Sequence, residues 1–251
     1  MEVRALGFKT VFRRYELKYL ITLEQKENII RAMEEYMRPD KYGRTTIRNL
    51  YFDTPSYRLI RESIEHPLYK EKLRVRSYAQ ASRDSVVFVE LKKKFDGVVY
   101  KRRVALPEAE AMAWTCGTSH VGEDTQIVRE IDYFMSYYGE LSPAVFLSYD
   151  REAYFSHDGE FRITFDENIL SRTADLSLTS PAYGSPILED GLSLMELKCH
   201  GSMPLWMAHI LSDGGIYKTP FSKYGNAYRE LIFPSLTYKN SLFPEKELSQ
   251  C

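Results

Sequence analysis

Cysteine is scarce in this chain. The 251 residues contain three (Cys116, Cys199 and Cys251), widely spaced and odd in number. That fits neither a disulfide framework nor a zinc spacing, and a reducing, cytoplasmic setting is expected. Long apolar runs are also missing. No stretch approaches the ~18–20 residues of a membrane-spanning helix, and Met1–Val11 lacks the apolar run of a secretory signal. The five histidines (His66, His120, His157, His200 and His209) show no metal-ligand spacing. There is neither a solenoid-length repeat nor a low-complexity linker. With 44% hydrophobic and 14% aromatic residues the chain is too apolar for disorder. One domain over 1–251 is expected, with its core at about 12–232 and a tail at 239–251.

Net charge is nearly absent as well: 34 Lys plus Arg stand against 35 Asp plus Glu, giving −1. The average hides a basic segment, because Tyr69–Arg103 holds 11 Lys and Arg against 4 Asp and Glu. Its charges alternate with apolar residues. In K-L-R-V-R, Lys72, Arg74 and Arg76 share one face of a strand, with Leu73 and Val75 opposite. In V-F-V-E-L-K-K-K-F the charged face is Glu90, Lys92 and Lys94, against Val87, Val89, Leu91 and Phe95. The pattern returns with Arg14, Glu16 and Lys18, with Arg162, Thr164 and Asp166, and with Glu196 and Lys198. Like charges on neighbouring strands repel, so a sheet that gathers them implies a polyanion to bind.

Helical segments lie between these strands: Thr22–Met37 with a Thr22/Gln25 capping box, Thr54-Pro55 through about Ser63, Pro107 towards Trp114, Glu123–Tyr138, Pro204–Leu211 and Ser222–Ile232. Asp158-Gly159 reads as a hairpin turn, and Ser171–Pro186 as a long loop or hairpin excursion. Each strand offers one apolar face for the helices to cover. The economical arrangement is a closed or nearly closed sheet with helices outside and charges in the lumen, the inverse of a small apolar-filled barrel.

Eight motifs in order, R-Y-E-L-K-Y, N-L-Y-F-D-T-P, K-L-R-V-R, V-E-L-K-K-K, Y-D-R-E-A-Y, F-R-I-T-F-D, M-E-L-K and F-S-K-Y, resemble the VTC domain. That is the polyphosphate polymerase domain of the vacuolar transporter chaperone family and of single-domain bacterial relatives, within the triphosphate tunnel metalloenzymes. The resemblance runs from about Phe12 to Tyr224. It implies an α+β fold: an eight-stranded antiparallel β-tunnel with a basic lumen and helices packed outside. It implies transfer of the terminal phosphoryl group of ATP to inorganic polyphosphate, with Mn²⁺ or Mg²⁺. By motif, Lys18, Arg74, Arg76, Lys92, Arg103, Arg151, Arg162 and Lys223 would hold phosphates. Glu196 would be the metal-binding carboxylate, Ser222 a phosphate donor and Lys198 a further tunnel cation. Lys72 and Lys94 lie on the same charged strand faces, and Glu16 and Glu90 stand open between metal binding and ion pairing.

Phosphoryl transfer needs positioning and charge neutralisation more than covalent help, and Arg forks and Lys point charges supply both. Carboxylate oxygen suits Mg²⁺ or Mn²⁺. Two departures qualify the resemblance. CYTH relatives open with E-x-E-x-K, whereas Arg14 stands where the first Glu would be, which favours the VTC-like reading over a two-metal phosphohydrolase. Where fungal polymerases tend to place a basic residue before F-S-K, this chain has Pro220, with Lys218 two residues earlier. Three readings stand: polymerase, tunnel triphosphate phosphohydrolase, and non-catalytic polyphosphate binder. Nucleic acid is not an expected partner, since a lumen-facing charge set does not admit a duplex. With no span of its own, the chain would need a separate membrane partner to move product across a membrane. Asp53 is expected to serve the loop and helix start rather than a metal.

Overall fold

The computed structural model describes residues 14–122 and 124–236, apart from the side chains of Arg14 and His200. The expectations for Met1–Val11 and for the tail at 239–251 lie outside those residues, whereas the helix expected from Glu123 begins only at Gln126, with Thr125 extended as its cap. The alternating segments form strands as their period requires: β1 Arg14–Thr22, β3 Thr45–Asp53, β4 Tyr69–Ser77, β5 Val86–Phe95, β6 Val98–Pro107, β7 Ser142–Ser156, β8 Phe161–Arg172 and β10 Leu192–His200. They make one antiparallel sheet in the order β1-β10-β8-β7-β3-β4-β5-β6. Two short strands lie off this path: β2 (Met37–Pro39) on β7 and β9 (Ser185–Pro186) on β8. The Ser171–Pro186 stretch is therefore a hairpin excursion. Asp158-Gly159 does turn β7 into β8, with Gly159 at φ +74°.

The sheet curls strongly. In a flat sheet β1 and β5 would stand about 29 Å apart, yet Lys92 on β5 and Glu16 on β1 meet at 3.2 Å. It does not close, contrary to the expected tunnel, because β1 and β6 are not paired. The edge of β1 that would receive β6 is partly taken. Thr219 N–H donates to the Lys18 carbonyl at 2.7 Å, and Lys218 bridges to Tyr19.

The outer face is apolar and covered by helices. Leu73, Val75, Val87, Val89 and Leu91 pack with Trp114 of α3 (Glu108–Thr115) and with Val128, Ile131 and Phe134 of α4 (Gln126–Tyr138). Leu17, Ile163, Phe165, Met195 and Leu197 pack with Ile29 and Met33 of α1 (Leu23–Met33) and Met207 of α5 (Leu205–Asp213). The Thr22/Gln25 capping box is present, with reciprocal bonds of 3.1 and 3.0 Å. The helix ends at Met33 rather than Met37, which opens β2.

Two helical expectations need correction. Pro55 does not open a helix: Thr54–Tyr57 is a turn, Tyr57 is left-handed at φ +56°, and α2 spans Arg58–Ile64. Asp53 caps it instead, accepting from the Leu59 and Ile60 N–H groups at 2.9 and 3.0 Å and from the Tyr224 hydroxyl at 2.8 Å. Nor do all helices lie outside. Residues 222–232, split into α6 (Lys223–Ala227) and a π-helical turn (Tyr228–Ile232), pack Tyr224 and Tyr228 with Tyr51, Tyr149 and Leu194 of the inner face. Their aromatic side chains fill part of the concave side and leave the rest to the charges.

Candidate functional site

Alternation carries the charges to the inner face, and cross-strand register sets which ones meet. On β4–β6, Arg74, Glu90 and Arg103 form one row. Glu90, 1% exposed, accepts from Arg74 at 2.8 and 2.9 Å and from Arg103 at 2.7 and 2.9 Å, and pairs with Lys101 at 2.6 Å. Burial pushes its carboxyl up, but Arg74, Arg76 and Lys101 outweigh that and hold it ionised. Arg76 lies 3.9 Å from Glu90 and donates to Asn49 Oδ1 and the Tyr149 hydroxyl. Arg74 also reaches the Tyr51 hydroxyl at 2.8 Å.

Across the concave side a second cluster surrounds Glu196 and Asp166. Arg151 grips Asp166 with a two-pronged contact at 2.5 and 2.6 Å. Lys223, brought inward by α6, joins Asp166 at 2.5 Å and Glu196 at 3.2 Å. Lys198, Arg151 and Lys18 approach Glu196 at 3.2, 3.5 and 3.6 Å. Burial raises the Glu196 carboxyl, and Lys223, Lys198, Lys18 and Arg151 together hold it well below the usual carboxylate range. Glu16 likewise stays ionised, its burial offset chiefly by Lys92.

Between the clusters cations accumulate with little compensation. Lys72, Lys92 and Lys101 stand in one row of three adjacent strands, and Lys70 and Lys94 pair in the next. Lys92 turns to Glu16 and Lys101 to Glu90, whereas among the described residues Lys72 has only the Ser222 hydroxyl at 3.4 Å and the Tyr224 ring at 5.9 Å. Among the described residues no carboxylate lies within ion-pair distance of Lys72. Burial, then Lys92, Lys18, Lys70 and Arg74, bring its ammonium down to about 7.

The structure thus brings Lys18, Lys72, Arg74, Arg76, Glu90, Lys92, Arg103, Arg151, Glu196, Lys198, Ser222, Lys223 and Glu16 to one concave face. Lys94 is exposed at its rim, beside Lys70. Arg162 is on the same face, in register with Lys198 and 4.5 Å from the Phe155 ring. Lys218 is exposed along the edge of β1, opposite Tyr19, whose side chain joins the outer core. The sequence reading missed Asp166 as a site residue, and with it the pairing that keeps Glu196 from standing alone. It also missed Lys101, Tyr51 and Tyr149. Lys101 and Tyr149 had a signal, the same strand parity as Arg103 and Arg151.

Can these groups hold a divalent cation? Among the described residues no three carboxylate, His or Cys side chains converge as a protein-only cage. The Thr164 hydroxyl, however, is fully buried beside Glu196 in register and has no hydrogen-bond partner among the described residues. Glu196 with Thr164 offers oxygen donors to a Mg²⁺ or Mn²⁺ ion that takes its remaining ligands from water and substrate phosphates. Glu90 is ringed by cations as Glu196 is, but among the described residues no unpartnered buried hydroxyl lies in register with it.

A family model described as "VTC domain" matches residues 13–232. The chain belongs to the VTC-domain family. No curated protein matches it. Among solved structures, two named as a "putative adenylate cyclase" are similar to this VTC domain. The one from Bacillus halodurans has a TM-score of 0.52 at 18% identity, covering 87% of this chain and 99% of that one. The one from Vibrio parahaemolyticus has a TM-score of 0.45 at 12% identity, covering 86% and 98%. At this identity the Bacillus halodurans likeness is one of fold. Together the family and the charged concave face support a phosphate-related function. No helix among the described residues is long and apolar enough to cross a membrane.

Proposed function

We propose that this VTC domain is a polyphosphate polymerase, working as one domain in which the curled sheet serves as a basic tunnel. The observation that carries the reading is the Lys72–Lys92–Lys101 row with Lys70 and Lys94 beside it: adjacent like charges are costly unless a polyanion joins them. In the reaction a terminal oxygen of polyphosphate attacks the γ-phosphorus of ATP. The bond from that phosphorus to the β-γ bridging oxygen breaks, and ADP leaves with the electron pair. Arg74 and Arg76, already oriented by Glu90, Tyr51, Asn49 and Tyr149, hold phosphate oxygens in a fixed geometry. Lys18, Lys72, Lys92 and Lys223 neutralise charge as it shifts during transfer. Lys198, Arg103, Arg151, Arg162 and Lys94 extend the cationic surface, and the Ser222 hydroxyl donates to phosphate. Glu196 with Thr164 would hold the Mn²⁺ or Mg²⁺, which adds charge neutralisation at the phosphate oxygens.

Incubation with ATP and Mn²⁺ tests this directly, with products resolved by gel and free phosphate assayed in parallel. Long chains with ADP support the polymerase. Free phosphate without chains moves the assignment to a tunnel triphosphate phosphohydrolase, and tight polyphosphate binding without turnover to a non-catalytic binder.

A further inference from the structure

The inner face of β4–β6 changes character at one end. Just past the end of β4, the Tyr78 ring lies on the side that Lys72, Arg74 and Arg76 face, against Phe88 and Arg103. On β5 the inward parity runs back from Glu90 to Phe88 and Val86, and on β6 from Arg103 to Ala105. Arg76, Phe88 and Ala105 form one row, so the apolar group follows the arginines directly. It is open to solvent: Val86 is 61% and Tyr78 42% exposed, and Ala105 is exposed. The Tyr78 and Phe88 rings meet edge-on at 5.6 Å. Arg103 lays its guanidinium 4.1 Å from the Phe88 centroid and 5.9 Å from that of Tyr78. Its Nη2 donates both to the Tyr78 hydroxyl and to Glu90, each at 2.7 Å. The aromatic corner and the cation cluster therefore share a side chain.

Holding Arg103 in place would account for the Tyr78 hydroxyl. It would not account for Val86, Phe88 and Ala105 forming an apolar apron open to solvent directly beside the arginines. We propose that Tyr78, Phe88, Val86 and the guanidinium of Arg103 bind the base of a nucleoside triphosphate whose phosphates lie on Arg74 and Arg76. The proposal rests on the functional reading above and deepens it. Bases stack on aromatic rings and on arginine planes, and the fused cations select a base that carries phosphates. The Tyr78 hydroxyl and the Arg103 guanidinium are already engaged with each other and with Glu90, which leaves ring faces and apolar surface for the base, so the site accepts any base. It also orients the substrate: the base sits at the Tyr78 end, and the distal phosphate points towards Lys72, about 20 Å away along β4.

The test titrates the full chain, without metal, with tripolyphosphate, ATP and GTP, in wild type, Tyr78→Ala and Tyr78→Phe. Expected is a loss of about tenfold or more for ATP and GTP alike in Tyr78→Ala, with tripolyphosphate affinity within about twofold of wild type. Tyr78→Phe, which keeps the ring and loses the bond to Arg103, should retain nucleotide binding. Equal weakening of all three ligands in Tyr78→Ala would show that the ring acts only through Arg103 and overturn the base site. So would unchanged ATP affinity in that variant while tripolyphosphate still binds. A wild-type chain that binds none of the three overturns the functional reading together with this site.

Discussion

The two charged halves of the concave face are built on opposite principles. On β4–β6, eight inward cations (Lys70, Lys72, Arg74, Arg76, Lys92, Lys94, Lys101 and Arg103) share one inward carboxylate, Glu90, which only Arg74, Arg76, Lys101 and Arg103 approach. On β1, β10, β8 and β7, three carboxylates, Glu16, Asp166 and Glu196, sit among Lys18, Arg151, Arg162 and Lys198 and the Lys223 of α6. The first half is far shorter of anions than the second. One carboxylate in the first half suffices to orient arginines, whose charge stays available for phosphate. In the second, the carboxylates pin lysines and leave Glu196 beside an unpartnered Thr164 hydroxyl. Under the proposed function both halves would meet phosphate, and the second would in addition hold the divalent cation.

Substitution at Glu196 should separate the halves most sharply. Glu196→Gln keeps the size and removes the charge that attracts a divalent cation. Mn²⁺-dependent ATP turnover should fall by about 100-fold or more, while metal-free tripolyphosphate binding is retained or tightened. Near-wild-type turnover at saturating Mn²⁺, with only a lower Tm, would make Glu196 a structural ion-pair partner and erase the contrast.

Arg76→Ala attacks the other half. Removing one charge-assisted phosphate contact should weaken tripolyphosphate by at least about tenfold without unfolding the protein, since it thins a crowd of like charges. Calorimetry should also show affinity rising steeply from orthophosphate to tripolyphosphate and falling with salt. Equal affinities for one and three phosphates would refute a row of cooperating cations.

A smaller effect concerns pH. Lys72, lowered to about 7 by burial and by Lys92, Lys18, Lys70 and Arg74, is largely neutral above that pH in the empty site. A bound polyanion favours its charged form, so binding takes up a proton and affinity should decline as pH rises through 7. Titrations in buffers of different ionisation enthalpy would detect the uptake, and Lys72→Met should abolish both effects. The least effect on the site is expected from Asp53→Ala. It strips the cap from α2 and should cost about 2–3 kcal/mol of stability, seen as a lower Tm, with tripolyphosphate affinity close to wild type in the folded protein.

Much of the inner face was legible because a strand has a period of two: Lys18, Arg74, Arg76, Lys92 and Glu196 face inward as their spacing demands. What parity does not convey is which residue lies opposite. The ring of cations around Glu90 depends on β4–β5–β6 register, and the Asp166–Lys223 pair joins residues on β8 and α6 that no local pattern links. Closure was misread for a related reason. Lys218 and Thr219 take part of the β1 edge that β6 would need, and no pattern within β1 or β6 signals that. The inward course of 222–232 was illegible too, since an aromatic-rich helix packs equally well on either side of a sheet until the charges on one side are counted.

Lys223 also has a bearing on the order of assembly. Its partners Asp166 and Glu196 lie on β8 and β10, so both strands leave the ribosome before it does. Until α6 docks, the two buried carboxylates share Arg151 and the flanking lysines, and Lys72 has no Ser222 hydroxyl to turn to. Such long-range contacts close slowly. During synthesis the sheet can therefore be complete while the site is not, and phosphate binding would report the last stage of folding rather than the first appearance of the sheet.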